Sequence, residues 1–213
     1  MQSEPWTIIP RKLRQSIGEH LDSHLSAHLK QGPSAAIRGP RNQLRATTDK
    51  SAGKHQIVAA FPIYSTSSGQ LARKGINDPQ ASGWLLLIDS PQGLTSQLEA
   101  KASGEGFVVI RVSTGAIVDQ LKKALLRART IMKRRRGSSL QFRALRVSAM
   151  HIFAIWIHQS HRPEQDVVIP FTANFAGLRE QRSYKRRTAE RMLKVLATSM
   201  IIRWYEKQTA HDG

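Results

Sequence analysis

The sequence predicts an α/β fold: one layered domain with about five or six strands packed by helices. Two unbroken apolar runs, Trp84–Ile88 and Phe107–Val112, are typical of strands buried on both faces of a sheet. Two longer stretches, residues 114–136 and 185–207, carry apolar side chains at helical spacing. The chain has 213 residues, of which 40% are hydrophobic, so it can bury a core of its own. It has no cysteine, which excludes disulfides and cysteine zinc sites.

Two segments are predicted ahead of the α/β domain. Residues 1–30 form an N-terminal amphipathic helix, in which a leucine or isoleucine recurs every four residues from Leu13 to Leu29. Residues 31–54 form a basic linker, because glycine and proline interrupt any regular pattern there and Lys or Arg residues lie between them. Residues 55–213 form the α/β domain, which ends in a basic amphipathic helix.

The first half of the domain is predicted to hold three strands. The first covers Gln56–Tyr64, and the two apolar runs supply the second and third. A short helix over residues 93–102 completes a strand-helix-strand unit, and such a unit favours a partly parallel sheet.

The second half is predicted to begin with the longest amphipathic helix, over residues 114–136, with Ser113 or Thr114 as its cap. Residues 142–158 have the composition of a strand, and a bend near Ser148 divides a stretch that is too long for one strand. A further strand at residues 166–171 follows a turn, so the segment 151–171 forms a C-terminal hairpin. A basic helix follows over residues 185–207.

The charge balance is the main indication of function. The chain carries 33 Lys and Arg against 15 Asp and Glu, a formal net charge of +18. Ten Lys or Arg and one acid lie between Asp119 and Arg146, and a second basic cluster runs from Arg179 to Lys194. Clustered cations bind a phosphate backbone by releasing its counterions, so the leading hypothesis is a non-enzymatic protein that binds nucleic acid, DNA or RNA. The residues predicted to contact nucleic acid are Lys122, Lys123, Arg127, Arg129, Lys133, Arg134, Arg135, Arg136, Arg143, Arg146, Arg182, Lys185, Arg186 and Arg187.

Few aromatic residues accompany these clusters. Only Phe142 and Tyr184 lie beside the basic runs, which favours contact with the nucleic-acid backbone over readout of bases. The alternative hypothesis is a protein–protein interaction module that docks its basic face on an acidic partner in a larger assembly.

A third hypothesis is a magnesium-dependent nuclease or phosphotransfer enzyme, with Asp89, Asp166 and His158 as candidate catalytic residues. Asp89 follows a buried strand, a position that suits an active-site carboxylate, although an aspartate there also caps a turn. His158 and Asp166 flank the turn of the predicted hairpin, where the two side chains could meet. The chain has no G-x-x-x-x-G-K-[ST] motif, which excludes a P-loop nucleotide hydrolase.

One pair of histidines has the spacing of metal ligands. His20 and His24 lie four residues apart on one side of the N-terminal helix, so one zinc ion could take both, but no acid is placed to complete the site. No cofactor is predicted. The longest apolar stretch, Val147–Ile157, is too short to span a bilayer, and the first thirty residues lack the pattern of a signal peptide. The sequence therefore predicts a cytoplasmic protein without a transmembrane segment.

Overall fold

A computed structural model describes residues 10–13, 17, 56–76, 80–90, 93–104, 106–135, 140–173 and 178–209. These residues form one α/β layer structure whose mixed sheet has eight strands, rather than the five or six expected. The strands are β1 (Gln56–Thr66), β2 (Gln80–Asp89), β3 (Thr95–Ser103), β4 (Gly106–Ser113), β5 (Leu140–Val147), β6 (Ile152–Gln159), β7 (Val167–Thr172) and β8 (Tyr184–Lys185). The helices are α1 (Ser68–Lys74), α2 (Ala116–Arg134) and α3 (Arg186–Thr209), with short 3₁₀ turns at Ser148–Met150 and Pro163–Gln165.

The sheet consists of two antiparallel meanders that meet at one parallel pair. Its strand order is β4-β3-β2-β1-β5-β6-β7-β8. Every neighbouring pair is antiparallel except β1 and β5, which run parallel from Ile63 opposite Ala144 to Thr66 opposite Val147. Helix α2 joins the edge strand β4 to the central strand β5, and this crossover makes the two central strands parallel.

The predicted short helix over residues 93–102 is wrong, because residues 95–103 form β3. Leu98 and Ala100 face one side of the sheet while Gln97 and Glu99 face the other, and all four side chains are buried. The local composition suits a helix. Pairing with β2 on one side and β4 on the other overrides that preference. The sheet is partly parallel, as expected, but through β1 and β5 rather than through a strand-helix-strand unit.

The second half agrees more closely with the sequence prediction. The long strand-like stretch divides at Ser148, where a 3₁₀ turn and a left-handed His151 (φ 51°) separate β5 from β6. β6 pairs antiparallel with β7, which confirms the C-terminal hairpin. The cap of α2 is Gly115, without a side-chain capping bond, instead of Ser113 or Thr114. Helix α1 and edge strand β8 have no counterpart in the prediction.

The sheet curves around α2. Two residues of one turn of this helix, Gln120 and Lys122, contact strands that lie far apart in the sheet. The carbonyl of Gln120 accepts a hydrogen bond from Gln181, whose own backbone amide bonds to Pro170 of β7. The Lys122 ammonium donates to Thr95 of β3. In a flat sheet β3 and β7 would be about 24 Å apart, five strand spacings, so the sheet must curl to bring both to one helix turn.

The two faces of the sheet are covered differently. The concave face holds the main core under α2, which includes Phe61, Leu121 and Ile155. The convex face is covered by α1 and α3. Leu13 and Ile17 of the predicted N-terminal helix are helical and pack on this convex face against β1, β2 and β3. Apart from residues 10–13 and 17, the predicted helix lies outside the described residues, as does the predicted linker.

No helix in the described part of the chain is both long and apolar enough to cross a membrane.

Candidate nucleic-acid interface

Helix α2 carries its predicted contact residues on two sides. Lys123, Arg127 and Arg134 share one side, because successive members are four and seven residues apart, and all three are exposed. The other side carries a second set, Lys122, Arg129 and Lys133. Lys133 is exposed, Arg129 is partly buried, and Lys122 is hydrogen-bonded to Thr95. From residue 120 to residue 135 the chain has no acidic side chain that could neutralise these cations along the helix.

The second basic cluster lies at β8 and the start of α3. Arg182, Lys185 and Arg187 are exposed there. The Arg182 guanidinium lies 5.6 Å from the centre of the Tyr184 ring, at a distance typical of a cation–π contact. The ring is itself buried, so it gives this arginine a fixed neighbour at the edge of the sheet.

Contacts between the two clusters join them into one surface. Arg127 donates from Nε to Ser183 Oγ at 2.9 Å, although the two residues are 56 positions apart in sequence. Gln181 Nε2, just before β8, donates to the Gln120 carbonyl of α2 at 2.9 Å. At the end of α2, Arg135 Nη1 donates to the Gln165 carbonyl at 2.8 Å, in the turn before β7 rather than in the second cluster. We group the exposed cations of these two segments as the β8-edge surface, defined by Lys123, Arg127, Arg134, Arg182, Lys185 and Arg187.

Arg143 and Arg146 do not belong to this surface. They are three residues apart on β5 and therefore project from opposite faces of the sheet. Arg146 lies on the concave face and donates from Nη1 to Glu99 Oε2 at 2.9 Å, while its guanidinium lies 5.2 Å from the Phe153 ring. Glu99 is 1% exposed, so this pair ties β5 to β3 inside the concave face.

Arg143 lies on the convex face against two aromatic rings that also contact each other. Its guanidinium carbon is 4.5 Å from the Tyr64 ring centre and 4.9 Å from the Trp156 ring centre. Nη2 donates to Gln141 at 2.9 Å, whereas the buried Nε has no hydrogen-bond partner among the described residues. Burial lowers the pKa of Arg143; the neighbouring Tyr64 and Asp166 oppose that shift, and the guanidinium stays charged.

Two of the candidate catalytic residues, His158 and Asp166, meet on the same face. Asp166 is fully buried and accepts hydrogen bonds from Trp156 Nε1 at 2.8 Å, the Gln159 amide at 2.8 Å and His158 Nδ1 at 2.9 Å. Arg186 Nη1 is 3.9 Å from the same carboxylate. Sequence spacing anticipated the His158–Asp166 contact. It missed the hydrogen bond from Trp156 to Asp166, because an apolar run in a strand does not show which indole will find a buried carboxylate.

Asp89 and Asp166 are not brought together. Asp89 lies at the end of β2 on the concave face, where its Oδ1 accepts a hydrogen bond from Thr95 at 2.6 Å. Asp166 lies just before β7 and bonds to side chains of the convex face. Among the described residues, no group of three His, Cys, Asp or Glu side chains is placed to hold a metal ion.

Three predicted site residues lie outside the described part of the chain. They are Arg136, His20 and His24.

A small cavity separates α2 from β1 and β2. It has a volume of about 190 Å³ and a mostly apolar lining. Its polar lining comes from Asp89, Lys122 and Arg129, so the second cationic side of α2 faces this cavity rather than the β8-edge surface.

A scan of protein-family models, a search of curated proteins and a search of solved structures each found no match to this chain.

Proposed function

We propose that this protein is a non-enzymatic nucleic-acid-binding protein that contacts the phosphate backbone through the β8-edge surface. One observation carries the proposal: the contact of Arg127 with Ser183 joins two basic clusters from distant parts of the sequence into one exposed surface. A surface built from separated segments is harder to attribute to local charge bias than a single basic run.

The chemistry of the surface suits phosphate. Four of its six cations are arginines, whose planar guanidinium binds phosphate oxygens in a fork. Its members are exposed, so they can exchange water for phosphate without the cost of rearranging a core. The aromatic ring at this edge, that of Tyr184, is buried and cannot stack on a base. The surface therefore favours backbone contact and little discrimination between sequences.

Fluorescence anisotropy with labelled duplex DNA, single-stranded DNA and RNA across a salt series tests the proposal. The affinity should fall steeply with salt, because each phosphate contact adds about 0.9 to the slope of log K against log salt on duplex DNA. Absence of binding at low salt would reject the proposal.

A matched pair of double variants tests the position of the surface. Arg134→Gln with Arg187→Gln removes two charges from the β8-edge surface, and we expect about tenfold or greater weakening at low salt with a salt slope smaller by about two. Lys101→Gln with Arg111→Gln removes two exposed charges from β3 and β4, at the other edge of the sheet. Equal weakening by both pairs would show that only net charge matters and would overturn the assignment of the surface.

A second function, docking on an acidic protein, is favoured by exposed apolar side chains on α3. Val195, Ile202, Trp204 and Tyr205 are each more than half exposed, and such residues are more typical of protein contacts than of phosphate contacts. Competition separates the two functions. The competitors are poly-glutamate and polyphosphate of equal charge, each added to a bound oligonucleotide. Equally effective displacement by poly-glutamate would favour the acidic protein partner. More effective displacement by polyphosphate would favour nucleic acid.

A further inference from the structure

The cluster around Asp166 holds more positive than negative charge. Its members on the convex face are Asp166, Arg143, His158 and Arg186, and Asp166 is the one carboxylate among them. Asp166 already accepts three hydrogen bonds at 2.8–2.9 Å from Trp156, Gln159 and His158. Within the described part of the chain, Arg143 forms no ion pair with any carboxylate.

Arg143 is held in place by contacts that do not include a carboxylate and that leave its Nε without an acceptor. The rings of Tyr64 and Trp156 and the amide of Gln141 fix its guanidinium, while the buried Nε has no hydrogen-bond acceptor among the described residues. The buried Nε of Arg146 lacks an acceptor as well, so the missing carboxylate is what distinguishes Arg143 from Arg146. An arginine that served only to stabilise the fold would be expected to have a carboxylate, as Arg146 has in Glu99. A bound oxyanion would supply the negative charge that Arg143 lacks.

His158 adds a second fixed donor or acceptor at the same place. Its Nδ1 bonds to Asp166, which sets the orientation of the ring and leaves Nε2 without a hydrogen bond among the described residues. His158 and Arg143 project from the same face of neighbouring strands, since Gln141 pairs with His158 and Arg143 pairs with Trp156. The side chains of His158 and Arg186 are each 15% exposed, so the cluster is recessed but open to solvent.

We propose that Arg143, His158 and Arg186 form a binding site for a phosphate monoester on the convex face of the sheet, with Asp166 as the residue that positions His158. Both guanidinium groups lie beside Trp156, at 4.9 Å and 5.9 Å from its ring centre. Two arginines suit a dianionic phosphate. A monoester fits a recessed site because it ends in the phosphate, whereas an internal backbone phosphate continues in both directions. The identity of the molecule that carries the phosphate rests on the proposed function: if the protein binds nucleic acid, that molecule is a strand with a terminal phosphate. The site itself does not depend on the proposed function.

Calorimetry of the full chain with inorganic phosphate tests the site directly. We expect saturable binding to the unaltered protein, at least about tenfold weaker binding to Arg143→Gln, and no change in the Lys101→Gln, Arg111→Gln control. Arg143→Lys, which keeps the charge and loses the fork, should also bind more weakly while its thermal unfolding stays close to that of the unaltered protein. Absence of phosphate binding, or equal binding by Arg143→Gln, would overturn the site.

Oligonucleotides of one sequence, with either a 5′-phosphate or a 5′-hydroxyl, distinguish this proposal from the proposed function. Binding of the 5′-hydroxyl strand reports the β8-edge surface and should survive Arg143→Gln. Tighter binding of the 5′-phosphorylated strand, lost in Arg143→Gln, would support a site for strand ends. Tighter binding of a nucleoside monophosphate, with no advantage for the 5′-phosphorylated strand, would support the site and identify a small molecule as the source of the phosphate.

Discussion

Two buried carboxylates, Glu99 and Asp166, lie on opposite faces of the sheet and differ in their partners. Glu99 is held by the close guanidinium of Arg146, so charge meets charge across the concave face. Asp166 is held by an indole, a backbone amide and an imidazole, while Arg186 Nη1 lies 3.9 Å away. The two arginines beside these carboxylates therefore differ: Arg146 completes an ion pair inside the fold, whereas Arg143 is held by aromatic rings and has no carboxylate partner among the described residues.

Asp166→Ala should give the largest loss of stability. The variant removes the acceptor of Trp156 Nε1 and of the Gln159 amide, both in a fully buried place. We expect the free energy of unfolding to fall by about 3–5 kcal/mol, measured by urea denaturation. Asp166→Asn, which keeps an acceptor oxygen, should lose less. An equal loss in both variants would show that charge, not hydrogen bonding, holds this centre.

Arg146→Gln should give the next largest effect. It leaves the carboxylate of Glu99 buried and without its close partner. We expect a loss of about 2–4 kcal/mol in the same denaturation experiment, below that of Asp166→Ala because Arg146 is itself 25% exposed. A Glu99→Gln, Arg146→Gln double variant should recover part of this loss, and failure to recover any would argue against a coupled pair.

Arg143→Gln should cost about 1 kcal/mol or less, because it removes contacts with two rings but leaves no buried carboxylate without its close partner. Its guanidinium also lacks a carboxylate partner among the described residues. Thermal unfolding of Arg143→Gln beside Arg146→Gln measures this difference. A loss as large as that of Arg146→Gln would show that Arg143 stabilises the fold and would weaken the case for a ligand site.

Arg111→Gln should give the smallest effect. Arg111 is 52% exposed and lies 3.9 Å from Glu99, so solvent screens the pair. We expect a change below about 1 kcal/mol in urea denaturation. A larger change would indicate that Glu99 depends on both arginines.

Much of the layer structure could be predicted because apolar patterning is a local property. The apolar run at Trp84–Ile88 forms part of β2 and the apolar stripe of α2 is helical, as the sequence indicates. The prediction failed at β3, where Leu98 and Glu99 suit a helix and only the two flanking strands make the extended form favourable. Edge strand β8 was missed because two residues carry no periodicity. The expectation that Phe107–Val112 is buried on both faces is also wrong, since this run forms edge strand β4 and leaves Val108 and Ile110 44% and 55% exposed.

An apolar core, an excess of 18 positive charges and two basic clusters could be read from the amino-acid sequence before any fold was known. The roles of individual arginines became visible only once the chain was folded. Arg127 and Arg134 stay exposed, Arg146 is paired with Glu99, and Arg143 lies against two rings. Residue type fixes a charge, whereas the partner and the exposure of that charge depend on which strand or helix folds beside it.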